Sequence, residues 1–501
     1  MSFGWIDYTV FTLYMLASAF IGVLFVKEQH SMKDFFLAGR SMGPVVVAIS
    51  VMAALFSGIS YIGGPAEVYV NGMAFSFMVL SFFIATPLTT VFLLPFFYRA
   101  RFITAYQYLE ERFALSVRLL ASGLFILRVL LWLGSATYAP ALALERATGL
   151  PLEASILLTG TVTVAYTMMG GMKAVIWTDV MQFFVLLGGQ LIIVFVAVSH
   201  IPGGWSEVWQ TAASHGQPVP TATLDPTVRI SWLGVLIGGA LLSLVQMATD
   251  QVAVQRYMTA RDLRTARKGL WLKLWVTLPI LGLFYFTGVV LRTFYNHAPD
   301  PLATKAIDKA DQILPYFVVH ELPAGLPGVL IAAVFAASMS TISAGLNSLA
   351  SATMVDFQQR LSNRPLPPDA TQIRHARLWT LFYGVIVISL AFLVSGLGNL
   401  VDSVNTIIGL VGGPLLALFL MGVFAPRISA KPALVGAALG FVTAIFVWLN
   451  TPVSLLWFTT VGCGSTALAA ALLSFVFPAR SLDELKGLVW HPSMRGHDEV
   501  K

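Results

Sequence analysis

The stretch SVMAALFSGISYIGGPAEVY, residues 50–69, indicates a membrane helix that breaks in its middle. Small residues surround Phe56 and Ser57, and a Gly-Gly-Pro sequence at 63–65 follows within two turns. Glycine and proline weaken a helix, so we expect an unwound segment at about 53–58. Small residues also let membrane helices pack closely, and this stretch alone does not separate the two interpretations.

The composition of the 501-residue chain makes the lipid bilayer its main solvent. Hydrophobic residues make up 57% and charged residues 11%, and the mean hydropathy is +0.80, whereas an ordinary soluble domain is about 25% charged. These values exclude a soluble enzyme and a disordered protein. The single cysteine, Cys463, excludes a disulfide scaffold and a thiolate metal cluster. The formal charge of +6 resides mainly in loops between apolar runs, so we expect no nucleic-acid partner.

Apolar runs of about 20 residues predict about thirteen transmembrane helices, called spans 1–13 in chain order. The spans begin near residues 5, 43, 73, 115, 152, 176, 230, 269, 326, 378, 402, 434 and 453. An odd number of spans places the two termini on opposite sides. With the N-terminus outside, 24 of the 30 Lys and Arg residues fall in cytoplasmic segments, five outside and Arg128 within a span. The positive-inside rule therefore predicts an external N-terminus and a cytoplasmic C-terminus in the plasma or inner membrane.

The densest basic cluster follows span 7. It consists of Arg256, Arg261, Arg264, Arg267, Lys268 and Lys273. Anionic lipid is one possible partner for such a cluster, but a cytoplasmic topology signal is the simpler interpretation. We therefore assign the cluster no role in the chemistry of the protein.

Span 7 carries a second interruption. Three glycines precede its polar stretch: Gly234, Gly238 and Gly239, followed by Ser243, Gln246, Thr249, Asp250 and Gln251. Interrupted helices in corresponding positions of two halves are typical of inverted-topology repeats with a central binding site. A repeat of five helices has an odd number, so its second copy is inverted. The symmetry rests on the positions of the interruptions alone.

This organisation predicts five regions along the chain. Residues 1–42 hold the leading span and a cytoplasmic loop, 43–200 the first repeat (spans 2–6), 201–425 the second repeat (spans 7–11), 426–477 two accessory spans and 478–501 a cytoplasmic tail. The external loops at about 200–229 and 295–325 are long enough to contain short helices.

Span 9 has an unusual density of hydroxyl groups for membrane depth. Ala337, Ser340 and Thr341 share one face of the helix, and Ser343 and Asn347 lie on an adjacent strip. Hydroxyl groups and free carbonyls are ligands that a hard cation such as sodium accepts, and an unwound span 2 would supply the carbonyls of Ala53 and Phe56. The alternative is that the hydroxyls bond back to the preceding turn or join helices together.

Two charged residues lie at membrane depth. Asp179 is the acidic residue that we expect within the bilayer, where a carboxylate is a functional candidate by default. A cap on the first turn of span 6 is the alternative role of this residue. Arg128 could extend to the interface, pair with a carbonyl or attract an anionic solute.

Several function classes lack their motifs. No Lys precedes Ser or Thr, so a Walker A loop is absent, and the eight His residues include no HExxH pair. An ATP-driven pump of that type and an intramembrane metalloprotease are therefore disfavoured. The chain also shows neither a repeated filter sequence nor rings of charge for a channel.

Four stretches carry a resemblance to the sodium/solute symporter family: DFFLAGRSMGP (34–44), GGMKAVIWTDVMQ (170–182), DQVAVQRYMTARD (250–262) and AASMSTISAGLNSLA (336–350). Within that family, ITAYQYLEERF (103–113), TYAPALALERATGLP (137–151) and IGLVGGPLLALFLMGVF (408–424) are most similar to the multivitamin, iodide and monocarboxylate transporter branch. The resemblance implies an all-α polytopic membrane protein with a LeuT-type five-plus-five inverted repeat and additional helices.

The resemblance also implies site residues. The main sodium site would be formed by Ala53, Phe56, Ala337, Ser340 and Thr341. Some relatives hold a second sodium ion with an aspartate at the Asp179 position and hydroxyls at Ser340, Ser343 and the next residue; the next residue here is Ala344, so one ligand is missing. The solute would be bound by Ser57, Ser60, Phe82, Ser243, Gln246, Met247 and Asn405.

Together these observations predict a secondary active symporter, not an enzyme, that uses sodium to import a small organic anion by alternating access. The solute would be a monocarboxylate or a vitamin-like carboxylate, and the chain would function as a monomer in the lipid bilayer. Two alternatives stay open: a sodium-coupled symporter of a neutral solute such as a sugar, and a ligand-binding membrane receptor or channel.

Overall fold

The computed structural model describes residues 3–25, 30–99, 102–362, 365, 367–394 and 400–490, and the secondary structure of this part of the chain is helical. Its unbroken spans are Trp5–Leu24 (span 1), Met73–Tyr98 (3), Leu115–Thr148 (4), Leu152–Met168 (5), Gly171–Ser199 (6), Leu263–Phe294 (8), Leu326–Leu361 (9), Asp369–Val394 (10), Leu400–Phe424 (11), Ala430–Asn450 (12) and Leu455–Leu473 (13). Ten of these helices are long and apolar enough to cross a membrane, and the two broken helices bring the number of spans in the described residues to twelve. Leu152–Met168 is a shorter apolar helix at the position of the remaining predicted span.

Spans 2 and 7 are the broken helices, as predicted. Span 2 consists of Pro44–Leu55 and Gly58–Asn71, which are bent by 62°, and span 7 of Gly234–Thr249 and Gln251–Tyr257, which are bent by 56°. The unwound part of span 2 is shorter than expected, because only the two residues between its halves leave the helical conformation.

Side chains at the two breaks cap the second half-helices. The Ser57 hydroxyl accepts a hydrogen bond from the backbone N–H of Ile59 at 3.2 Å, and the Asp250 carboxylate accepts one from Val252 at 2.9 Å. A helix that begins inside the bilayer has orphan N–H groups that water does not reach, so these caps stabilise the interruptions.

The two broken helices have equivalent neighbours. Span 2 packs against spans 6 and 8, and span 7 packs against spans 11 and 3. The first helix of each repeat therefore contacts the last helix of its own repeat and the second helix of the other. Span 9 is buried along nearly its whole length beside spans 2, 4 and 6, which places its hydroxyls at the centre of the protein.

The loops contain short helices. The loops predicted to be external hold Gly204–Ser214 and Ile313–Glu321, as expected, and the loops predicted to be cytoplasmic hold Met32–Leu37 and Gln107–Arg112. The described part of the tail packs against the helical body, since the N–H of Trp490 donates to the carbonyl of Val423 at 2.9 Å. Residues 491–501 of the predicted tail lie outside the described residues.

Candidate functional site

The break in span 2 meets the hydroxyl groups of span 9. A helix that ends at Leu55 leaves its last carbonyls without backbone donors. The Ser340 hydroxyl donates to the carbonyl of Ala53 at 2.9 Å, and the Thr341 hydroxyl donates to that of Ala54 at 3.0 Å. All of these groups are buried. The two hydroxyls therefore satisfy carbonyls that the break has freed.

The same hydroxyls also bond within span 9. Each hydroxyl shares its single proton with the carbonyl of Ala337, at 3.0 Å from Ser340 and 3.2 Å from Thr341. Four of the five predicted sodium ligands, Ala53, Ala337, Ser340 and Thr341, thus lie in one hydrogen-bonded cluster. Phe56 is a non-helical residue of the break and borders the central cavity.

The oxygens of this cluster are electrically neutral. Within the described residues, no group of three or more His, Cys, Asp or Glu side chains is placed to hold a metal ion. Neutral hydroxyl and carbonyl oxygens suit a hard monovalent cation and do not suit a soft transition metal. The donor set of the cluster is therefore chemically suited to an alkali ion and contains no fixed counter-charge.

Asp179 is buried and paired, and it does not cap span 6. It is the ninth residue of Gly171–Ser199, beyond the first turn, so the capping alternative is wrong. Its carboxylate accepts from the Ser50 hydroxyl at 2.6 Å and from the Arg256 guanidinium at 3.0 Å. The hydroxyl of Ser343, the other suggested ligand of a second sodium ion, donates to the carbonyl of Ser340 at 3.1 Å. The carboxylate is thus neutralised by an arginine in this arrangement.

A cavity of about 140 Å³ lies beside the break in span 2. Six of the seven predicted solute-binding residues line it: Ser57, Ser60, Phe82, Ser243, Gln246 and Asn405. Met247 is outside its lining, and its sulfur accepts from the Thr86 hydroxyl at 3.9 Å. The cavity wall combines hydroxyl and amide groups with apolar side chains, which is the lining typical of a small-molecule site.

Three charged residues outside the predicted solute-binding set also line the cavity. Arg128 on span 4 and Asp250 at the break in span 7 form an ion pair at 2.5 Å, and each side chain is 1% exposed. Lys273 on span 8 is the third. The signal that could have identified the pair is the presence of opposite charges at membrane depth. Two members of the basic cluster that follows span 7, Arg256 and Lys273, are buried.

An ionic cluster lies on the side of the cavity that faces the loops predicted to be external. Arg229 donates to Glu67 on span 2 at 2.5 and 2.9 Å and to Asp402 on span 11 at 2.8 Å. Beside it, the carboxylate of Asp311 accepts from the N–H of Leu400 at 3.2 Å. Burial raises the pKa of Asp311 to about 6; the Leu400 bond opposes the rise, and the negative charges of Asp402 and Glu67 add to it.

A second ionic cluster joins spans 4 and 9 at the opposite end. The Arg118 guanidinium donates to Asp356 at 2.8 Å and to Glu110 at 2.6 Å, and Arg360 donates to Glu110 at 2.6 Å. Burial opposes ionisation of Glu110, but the bonds from Arg360 and Arg118 outweigh it and lower the pKa. The cavity therefore lies between two ionic clusters, each linking helices of both repeats.

The sequence model of the Sodium:solute symporter family matches residues 35–440. The chain belongs to this family. The symporter is 32% identical to the sodium-dependent multivitamin transporter of Oryctolagus cuniculus over 97% of its own length and 78% of the relative's. It is 33% identical to human sodium-coupled monocarboxylate transporter 1 over 89% and 74%, and 34% identical to the human sodium/iodide cotransporter over 90% and 70%.

Solved structures confirm the fold of the symporter. A Na⁺-coupled sialic acid symporter in a substrate-bound outward-open state superposes with a TM-score of 0.85 at 30% identity, covering 96% of this chain and 100% of that one. Mhp1, a nucleobase-cation-symport-1 family transporter in a closed conformation, reaches 0.60 at 14% identity, covering 92% and 98%. The predicted LeuT-type architecture is therefore correct, and the symporter is a multi-pass membrane transporter that couples sodium to the movement of a small solute.

Proposed function

We propose that this symporter imports a small organic anion, a monocarboxylate or a vitamin-like carboxylate. The observation that carries the proposal is the charge of the cavity wall, where two basic side chains, Arg128 and Lys273, face one acidic side chain, Asp250. An excess positive charge in a low-dielectric cavity favours an anionic occupant. The similarity to multivitamin and monocarboxylate transporters supports the same solute class.

Sodium, in this proposal, binds the oxygens of Ala53, Phe56, Ala337, Ser340 and Thr341. The hydroxyl protons now bonded to carbonyls would turn away, and the ion would replace them. The donor set fits an alkali cation because it offers hard neutral oxygens on two helices that meet at a break. Asp179 and Ser343 would bind a second sodium ion only in a conformation in which the Arg256 guanidinium no longer pairs with the Asp179 carboxylate.

The solute occupies the cavity lined by Ser57, Ser60, Phe82, Ser243, Gln246 and Asn405. Sodium binding at spans 2 and 9 stabilises the outward-open arrangement and orders the break for the solute, and release of sodium inside reverses both effects. The ionic clusters at either end of the cavity would open alternately.

The membrane arrangement follows the distribution of charge. The thirteen predicted spans and the cytoplasmic excess of Lys and Arg support an external N-terminus and a cytoplasmic C-terminus in the plasma or inner membrane. Both candidate sites are built from one chain, which supports a functional monomer.

Uptake into proteoliposomes tests this function. Purified symporter is given an inward sodium gradient or a matched potassium gradient, with radiolabelled pyruvate, nicotinate, biotin, iodide or glucose outside. We expect a carboxylate to accumulate above its external concentration only with sodium, and a sodium ionophore to abolish the accumulation. Accumulation of glucose would support the neutral-solute alternative, and equilibration without accumulation would support a channel.

A further inference from the structure

Lys273 occupies an unusual position for a lysine. It lies on span 8, ten residues after the helix begins at Leu263, which places it about 15 Å along the helix axis. Its side chain forms part of the cavity wall, and the residue is 1% exposed. The ammonium nitrogen lies 4.1 Å from the ring centroid of Phe82, a predicted solute-binding residue that lines the same cavity.

The other fully buried basic residues in the described part of the chain have polar partners. Arg118 binds Asp356, Arg128 binds Asp250, Arg256 binds Asp179, and Arg112 donates to the carbonyls of Gly422, Ala425 and Ile428. For Lys273, the described residues provide no carboxylate within 4 Å of the ammonium group and no hydrogen-bond acceptor; the contact it makes is with the Phe82 ring.

A buried ammonium group without a counter-ion is costly, and the face of one aromatic ring compensates for only part of the cost. The charges that line the cavity leave Lys273 uncompensated, because Arg128 and Asp250 neutralise each other at 2.5 Å. The occupied cavity would therefore be neutral if the solute carries a single negative charge.

We propose that Lys273 binds the carboxylate of the transported solute and thereby selects monoanions over neutral solutes. This inference rests on the proposed function, because it identifies the residue that recognises the anion in the same cavity. The carboxylate would accept hydrogen bonds from the ammonium group, while the apolar part of the solute lies along Phe82. The Arg128–Asp250 pair would hold the wall together without binding the solute's charge.

The test compares Lys273→Met and Lys273→Arg with Lys268→Met, which removes an exposed lysine from the same helix. Each protein is purified in detergent with sodium, and its thermal stability is titrated with pyruvate, nicotinate and biotin and with nicotinamide as the uncharged counterpart of nicotinate. Sodium-driven uptake of the same radiolabelled compounds is measured in proteoliposomes. Stabilisation by sodium alone shows that each variant is folded.

We expect at least one carboxylate to stabilise the wild type and Lys268→Met, and nicotinamide to have no effect. Lys273→Met should raise the half-saturating carboxylate concentration about 10- to 100-fold, since it removes a charge-assisted hydrogen bond. Lys273→Arg should stay within a few-fold of the wild type. The inference is overturned if Lys273→Met binds the carboxylate as well as Lys268→Met does, if nicotinamide binds as well as nicotinate, or if no carboxylate binds the wild type.

The two readouts separate this inference from the proposed function. Carboxylate binding that requires Lys273 without sodium-driven accumulation would refute the proposed import and leave the role of Lys273 intact. Sodium-driven accumulation of a carboxylate, together with an unchanged carboxylate affinity in Lys273→Met, would support the proposed import and refute the role of Lys273.

Discussion

Removing a hydroxyl at the junction of spans 2 and 9 should weaken sodium activation of transport. The hydroxyls of Ser340 and Thr341 lie 2.9–3.2 Å from the carbonyls of Ala53, Ala54 and Ala337, and each would supply one oxygen to the ion. An interaction with a charged group contributes about 1.5–3 kcal/mol. Part of this is offset because the sodium-free protein loses the hydroxyl–carbonyl bonds as well. For each single alanine variant we expect a net loss of about 1–2 kcal/mol, which is about a 5- to 30-fold rise in the half-saturating sodium concentration.

The assay is solute uptake at a fixed, saturating solute concentration over a range of sodium concentrations. Ser351→Ala is the matched control, because this buried serine lies on the same helix and its hydroxyl donates at 2.9 Å to the carbonyl of Ser348, within its own helix. Ser351→Ala should leave sodium activation unchanged. The assignment of the site is refuted if Ser340→Ala and Thr341→Ala keep the wild-type sodium dependence, or if the control shifts it equally.

Three further changes test the surroundings of the site. Asp250→Asn leaves the Arg128 guanidinium buried without its counter-ion and should destabilise the protein by about 3–5 kcal/mol, whereas adding Arg128→Met should recover most of the loss in detergent melting experiments. Gly58→Ala places a Cβ atom 2.1 Å from the Ser338 hydroxyl; we expect a cost of about 1–3 kcal/mol and reduced uptake, and restoration by Ser338→Ala would confirm the clash as the cause. The pKa of Asp311 is raised to about 6, so the folded protein holds this proton more tightly than the unfolded chain does. The free energy of unfolding should therefore fall as the pH rises from about 4 to 6. Asp311→Asn should raise the melting temperature at pH 7.5 and leave it unchanged at pH 4.

The spans and the two breaks could be predicted from the sequence because the bilayer allows few alternatives. A membrane span must be apolar for about 20 residues and must satisfy its own backbone. Small residues around Phe56 and the polar stretch that ends at Asp250 violate these requirements, and both violations mark a break in the structure. Pro65 is an exception, because a proline usually interrupts a helix. It lies inside the continuous second half of span 2.

The pairing of buried charges could not be predicted, because it depends on how distant segments meet. Arg128 lies on span 4 and its partner Asp250 on span 7. Asp179, in the first repeat, forms an ion pair with Arg256, in the second repeat. No short-range pattern encodes such contacts. Lys273 was interpreted as part of a cytoplasmic cluster because basic residues precede it closely in sequence, yet the helix that begins at Leu263 carries it into the cavity wall.

The sequence also did not indicate which of two neighbouring residues lines the cavity and which lies in the core. Gln246 lines the cavity and Met247 does not, although the family resemblance implies that both bind the solute. Val245–Thr249 form a π-helical turn, which adds a residue to the turn and rotates the faces that follow it. A resemblance carried over residue by residue does not show how such a turn divides two adjacent residues between the cavity and the core.

The break in span 2 gives a physical basis for coupling between the two sites. On one side of it, the carbonyls of Ala53 and Ala54 meet the hydroxyls of span 9; on the other side, Phe56 and Ser57 border the cavity. Any displacement of the break changes both sets of contacts, because Leu55 alone separates them in the chain. By linkage, the factor by which sodium tightens solute binding must equal the factor by which the solute tightens sodium binding. A substitution confined to the hydroxyls of span 9 should therefore weaken solute binding only as far as sodium occupancy falls, whereas one that alters the break itself should change solute affinity even at saturating sodium.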